Sequence, residues 1–276
     1  MTPPAMTPSA MREPPSDSFE AWAFAYVRTD SLEQKLTPPP VRAAWEPAPT
    51  SRRLASPGRP AALRVVDRAP KTRGLRAPSG RARALHTFFH HELQAAELMA
   101  WAVLAFADAP QELRAGLIGI ARDEIRHMRL YAEQLARLGF SIGDFPVRDW
   151  FWERVPSCPT AASFMAVMGL GFESANLEHA ATFAARFREA GDEEAAAVQE
   201  LVGREELPHV RFGAHWFGKL TGSLGFASWS RALPAPLSPM LMRGSPIARQ
   251  ARLAAGQPPT FIDELERWEA APAEGS

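Results

Sequence analysis

The chain has 276 residues, of which 46% are hydrophobic and 22% charged, enough to bury a sizeable core in one large domain or two small ones. Its 31 basic and 31 acidic side chains cancel, so overall charge makes no case for nucleic acid or an anionic membrane. The single cysteine, Cys158, excludes an internal disulfide and suits a reducing compartment; with no apolar leader segment and no run of ~18 apolar residues, the expectation is a soluble, cytoplasmic protein with no membrane partner.

Proline partitions the chain. Residues 1–84 hold 14 of the 26 prolines, residues 85–222 hold 5 and residues 223–276 hold 7, so long helices are confined to the middle segment. The first dozen residues read as disordered, FEAWAFAYVRTDSLEQKL as a short helix stopped by Pro38, Pro39 and Pro40, and the remainder to about residue 84 as an irregular arm. Residues 51–83 of that arm carry ten Lys or Arg against Asp67 alone. Such a stretch either contacts RNA or neutralises an acidic helical surface; the second reading is favoured, because no aromatics interleave as a base-stacking platform requires.

Four helices follow from a 3.6-residue period. The first spans about 83–107 with the stripe Leu85, Phe88, Phe89, Glu92, Ala96, Met99, Val103 and Phe106. Asp108 reads as the N-cap of the second, which runs to about 138 with Leu113, Leu117, Ile120, Glu124, His127, Tyr131, Leu135 and Leu138. A 21-residue aromatic crossover, 139–159, then precedes a third helix over about 160–190, capped near Gly191, and a fourth over about 192–220. The third carries Met165, Gly169, Glu173, Leu177, Ala180 and Phe187; the fourth carries Val198, Val202, Glu206, His209, Gly213, Trp216 and Leu220. Residues 223–276 are expected to pack on these helices as a C-terminal extension.

Each apolar stripe is interrupted by a glutamate, and the second and fourth also by a histidine three residues on. EIRH at 124–127 recurs as ELPH at 206–209, while Glu92 precedes Glu124 by 32 residues and Glu173 precedes Glu206 by 33. Residues i and i+3 share a helix face, so each Glu-x-x-His aims a carboxylate and an imidazole at one point. Two such pairs, with one Glu from each partner helix, form the ligand set of ferritin-like di-iron and di-manganese four-helix bundles. Four carboxylates balance two divalent cations, whereas four ionised carboxylates in an apolar core without metal would each cost roughly several kcal/mol. One Glu-x-x-His is a weak signal; two at matched depth, each with a Glu upstream, are not.

Glu97 and Glu178, five residues after Glu92 and Glu173, are alternates for the ligand role; otherwise they support the ligands from behind or bury a salt bridge. His86, His90 and His91, clustered at the start of the first helix, read as solvated or capping in preference to a second metal site. His179 either orients a ligand or is an ordinary core histidine. Tyr131, one turn beyond His127, packs by default and is the one candidate catalytic side chain, through a hydrogen bond to the site or a redox role. Pro208, inside the second Glu-x-x-His, predicts a kink or bulge in the fourth helix. Gly169 and Gly213 either leave room for dioxygen or substrate, or allow close helix packing.

HHELQAAELM at 90–99, ARDEIRHM at 121–128, GFESANLEHA at 171–180 and REELPHVRFG at 204–213 resemble the ferritin-like family called domain of unknown function 455. They are more distantly similar to the ferritin-like tRNA hydroxylase. The likeness extends to SLEQKLTPPP at 31–40 and IARQARLAAG at 247–256, and ELQA at 92–95 is similar to the first-helix signature of bacterioferritins, whose Glu binds iron. That favours Glu92 over Glu97. The resemblance implies two irons and names no substrate; Pro208 departs from it and bears on His209.

Expected, then, is an all-α, ferritin-like four-helix bundle with irregular arms, binding two irons, or manganese, through Glu92, Glu124, His127, Glu173, Glu206 and His209. Three functions suit it. They are a dioxygen-dependent oxidase or hydroxylase of a small organic molecule, supplied by an electron donor; a ferroxidase or iron-handling protein; and a non-enzymatic helical scaffold with a structural metal site.

Overall fold

The computed structural model describes residues 12–41, 44–69 and 74–269, which are helical and irregular with no extended strand among them. The expected disorder of the first dozen residues falls almost wholly on residues 1–11, outside the described residues. Two compact units divide the chain, one ending at Pro156 and the other beginning at Ser157.

In the first unit, α1 (Phe19–Arg28) starts where the Ser18 hydroxyl accepts from the Ala21 N–H at 3.0 Å. The single short helix expected here is two. Thr29 turns extended, with ψ at 135°, and Ser31 caps a new helix, α2 (Leu32–Leu36), by accepting from the Gln34 N–H. An irregular arm then leads to α3 (Pro78–Ala105), which begins with Pro78 in its first turn, earlier than periodicity suggested. Helix α4 (Gln111–Arg137) opens at Pro110, not at Asp108, because residues 106–109 close a separate turn with the Ala109 N–H donating to the Phe106 carbonyl at 3.0 Å.

Helix α3 is buried on almost every side. Within its unit it packs against α4 and α1, and the 139–156 segment is tied to it: Gln94 Oε1 accepts from the Phe151 N–H at 3.0 Å and its amide donates to the Arg148 carbonyl. A helix so enclosed has no solvent face on which to put its acids. That is why both Glu92 and Glu97 lie inside, although Glu92 is the one that falls on the apolar stripe.

In the second unit, α5 (Ala161–Val167), capped by Thr160, runs into a π turn (Met168–Glu173) and then α6 (Ser174–Glu189). The expected single helix over 160–190 therefore contains one wide turn, ending at Glu173. Helix α7 (Glu193–Thr221) starts at the Asp192 cap and ends at Gly222, whose φ of +72° is left-handed and suits glycine. It stays α-helical through Pro208, so no bulge forms there, and the wide turn of this unit lies on the facing helix. A Cβ on Gly169 would lie 2.6 Å from the Cα of Gly213. Of the two readings for these glycines the structure supports close packing.

The C-terminal segment of this unit forms α8 (Phe226–Ala232), α9 (Arg249–Ala254) and α10 (Pro259–Arg267). Trp229, fully buried, donates its indole N–H to the Ala166 carbonyl at 2.9 Å, pinning the extension to α5. No helix among the described residues is long and apolar enough to cross a membrane.

Candidate metal centre

Each unit builds the same three-residue cluster. In the first, Glu92 of α3 and Glu124 and His127 of α4 are buried and offer ligand atoms within 4.8 Å of one another. In the second, Glu173 at the end of the π turn and Glu206 and His209 of α7 do the same. The i, i+3 spacing brings His127 Nδ1 to 3.1 Å from Glu124 Oε2 and His209 Nδ1 to 2.9 Å from Glu206 Oε2. Pro208 thus leaves its own pair in the same geometry as the uninterrupted one. Proline lacks only an N–H, and its neighbours still point along the same helix face.

These clusters fit a divalent cation by the chemistry of their donors. Each supplies two carboxylates and one imidazole, an oxygen-rich set suited to iron or manganese more than to thiolate-seeking metals. The chemistry also explains the burial: an ionised carboxylate is stable inside a protein when a cation compensates it.

The two alternates are engaged elsewhere. Glu97 Oε1 accepts from Lys35 Nζ at 2.8 Å and from Arg59 Nη1 at 2.5 Å, and its Oε2 from the Trp152 indole at 2.8 Å. Glu178 receives Arg252 through two hydrogen bonds, 2.6 and 2.7 Å, together with the N–H groups of Gly244 and Ala248 at 2.9 Å. Of the roles open to these glutamates, the buried salt bridge is the one observed. The cations come from the arms, Lys35 and Arg59 from the N-terminal one and Arg252 from the C-terminal one. Burial holds the Lys35 ammonium below its usual range against the pull of Glu97.

Residues 18–263 match the family described as Protein of unknown function (DUF455). The chain belongs to that family. A Haemophilus influenzae relative described as "Uncharacterized protein" is 29% identical over 190 residues, covering 65% of this chain and 65% of that one, so the match spans slightly under two thirds of the relative. No solved structure matches the chain. The DUF455 segment runs from the cap of α1 into α10 and includes Lys35, Arg59 and Arg252, so both arm latches fall inside the family's extent.

The remaining candidates of this DUF455 chain sort as follows. Tyr131 is buried, its ring 5.6 Å from that of Phe88. His86 and His90 are buried too, neither solvated nor capping. His86 Nε2 accepts from the Gly143 N–H at 2.8 Å, and burial lowers its pKa to about 4. His90 Nε2 meets Asp149 Oδ1 at 2.9 Å, with burial lowering the imidazole, while hydrogen bonds from His90 and Arg59 outweigh burial and hold the Asp149 carboxyl below its usual range. Only His91 of the three is exposed, stacked on Phe151 at 5.1 Å. His179 lies on the exposed side of α6 and is not a core histidine, because Glu178, its neighbour, takes the inward position.

Three arginines of the basic arm are engaged by the protein itself, while Arg64, Arg68 and Arg76 are exposed. Arg52, 2% exposed, makes a two-pronged pair with Glu46 at 2.8 and 3.0 Å; Arg59 bridges Glu97 and Asp149; Arg53 lies over the Trp101 and Phe106 rings. Arg52 and Arg59 thus take the neutralising role, with individual carboxylates as their targets. Sequence reasoning missed Asn176, whose amide donates to Glu206 Oε1 at 3.1 Å. Its position three residues after Glu173, on the same helix face, was a usable signal.

Proposed function

We propose that the two clusters are halves of one ferritin-like two-metal centre, held by Glu92, Glu124, His127, Glu173, Glu206 and His209, and that it serves a dioxygen-dependent oxidase or hydroxylase acting on a small organic substrate. The observation that carries this reading is the repetition of one buried Glu and Glu-x-x-His cluster in both units, at an interval of 81 or 82 residues. Glu97 and Glu178 repeat at the same interval, but their oxygens meet Lys35, Arg59 and Arg252, whereas each cluster gathers two carboxylates and an imidazole with ligand atoms within 4.8 Å of one another.

Two irons, when bound, would supply dioxygen activation and electron exchange. The protein's part is positional. His127 and His209 present Nδ1 toward their carboxylates; with Nδ1 donating, the neutral ring carries its proton there and Nε2 is the unprotonated nitrogen. The ligands themselves are buried, and exclusion of water strengthens the interactions they make. Tyr131, one turn beyond His127, is the proposed hydrogen-bonding or redox partner of the site.

Metal content and absorption of purified wild type, beside a Glu124→Ala and Glu206→Ala double variant, test the reading. About two irons per chain in the wild type and none in the variant is the expected result, by the stoichiometry of this ligand set. A wild type without bound metal, equal in stability to the variant, overturns it. Oxygen uptake then separates the chemistries: consumption that depends on an added organic substrate supports the oxidase, and consumption driven by Fe(II) alone supports iron oxidation.

A further inference from the structure

Gly256 ends α9 with a left-handed φ of +88°, and the chain turns back so that the Gln257 N–H donates to the Arg252 carbonyl at 3.1 Å. That turn carries the Gln257 side chain inward, where it is buried. Its Nε2 donates to the Ser174 hydroxyl at 2.6 Å, and its Oε1 accepts from Arg252 Nη1 at 3.3 Å. A guanidinium can only donate, so the amide must turn its oxygen to Arg252 and its nitrogen to Ser174.

Ser174 is fully buried and directly follows the wide turn that Glu173 closes. Because its hydroxyl accepts from Gln257, the hydroxyl proton is free to go to the Gly169 carbonyl, 3.3 Å away at the start of that turn. The Ser174 N–H donates to the Gly171 carbonyl in the middle of it. A π turn displaces the ladder of N–H groups bonded four residues back that aims side chains elsewhere on a helix, so Glu173 is aimed by whatever holds the turn. The C-terminal segment meets the turn at a second point. A Cβ on Gly171 would lie 2.5 Å from Met242 Sδ, and Arg252 Nη2 donates to the Met242 carbonyl at 3.1 Å. Arg252 therefore holds both contacts from behind.

With the two-metal reading as its basis, we propose that Gln257 is a positioning residue of the metal centre: acting through Ser174, it fixes the wide turn from which Glu173 presents its carboxylate beside Glu206 and His209. The C-terminal segment then has a task besides supplying charge to Glu178. A ligand already held in its binding orientation loses less freedom when a cation arrives, and groups that orient ligands from behind affect metal affinity by roughly 10- to 100-fold. Gln257 acts through a second side chain and the backbone, so its share lies at the lower end, about 10-fold.

Titrating the metal-free protein with Co(II), followed by visible absorption, reads affinity and coordination together. Ser174→Ala and Gln257→Leu are expected to weaken binding by about 10-fold and to move the spectrum of the bound ion toward that of Glu173→Ala. Gln257→Glu keeps the side chain's length and its acceptor for Arg252 but cannot donate to Ser174 when ionised, so it should show the same loss even where Gln257→Leu fails to fold. Ser163→Ala is the matched control. It removes another hydroxyl that ties a helix of this unit to the C-terminal segment, donating to the Ala232 carbonyl at 2.8 Å, and should keep wild-type affinity and spectrum. Thermal unfolding identifies the variants that fold. Wild-type binding and spectrum in folded Ser174→Ala or in a folded Gln257 variant, or an equal loss in Ser163→Ala, overturns the inference while the metal reading stands. A wild type that takes up neither Co(II) nor iron overturns both.

Discussion

Arg252 and Glu178 meet as a two-pronged ion pair inside the second unit, Nε to Oε1 at 2.6 Å and Nη2 to Oε2 at 2.7 Å, with both side chains buried. A carboxylate so engaged is saturated by its partners, which makes it a structural acid and separates it from Glu173 five residues earlier.

Replacing Arg252 with alanine should therefore destabilise the protein by about 3–5 kcal/mol, the usual consequence of leaving one charge of a buried pair uncompensated. Glu178→Ala should cost a similar amount and leave metal content unchanged. Urea unfolding beside elemental analysis checks both; a loss of metal in folded Glu178→Ala would return that residue to the ligand set.

Glu97→Ala strands Lys35, whose ammonium burial already disfavours. Because the Lys35 pKa in the folded chain lies below its ordinary 10.5, the unfolded state binds more protons in the interval between them, and stability rises with pH there. The deficit of Glu97→Ala relative to wild type should shrink as pH climbs toward 10.5 and Lys35 sheds its proton. Denaturation midpoints of both proteins across the alkaline range measure it.

His86 predicts the opposite limb of the pH profile. Its folded pKa of about 4 lies below the ordinary 6.5, so acidification protonates the unfolded chain first. The wild type should lose up to about 3 kcal/mol between these values relative to a His86→Gln variant, following about 1.4 kcal/mol for each unit of pKa difference. Above pH 6.5 the gap between the two should be flat.

Gly169→Ala would push a methyl to 2.6 Å from the Gly213 Cα, and a backbone atom cannot yield as a side-chain tip can. Overpacking of this sort costs roughly 1–3 kcal/mol. Gly218→Ala, where nothing lies within 4 Å of an added Cβ, is the matched control and should not lower the melting temperature.

The six candidate ligands were legible because their signal is a pattern: acids and imidazoles on an apolar stripe, spaced by three and repeated. What stayed hidden depended on long-range contacts. Nothing local to Glu97 or Glu178 announces Lys35, 62 residues before the one, or Arg252, 74 residues after the other. Helix α3, buried on almost every side, hides Glu97 as well as Glu92, so the stripe that favoured Glu92 gave no sign that Glu97 is buried too. Pro208 drew attention to the wrong helix. A missing donor deep within a packed helix can be accommodated without a break, whereas Gly169 and Gly171, small residues beside a tight crossing, stand where the wide turn forms.

The two arm latches bear on how the protein can be taken apart. A chain trimmed to its four longest helical stretches would keep Glu97 and Glu178 and discard Lys35, Arg59 and Arg252, leaving a lone negative charge inside each unit. Such a fragment would bear the lost solvation of an unpaired buried carboxylate in each unit before any question of catalysis arose. The proline-rich ends behave as internal counterions on a tether, and a protease that severed either one would remove charge neutrality from a core it never enters.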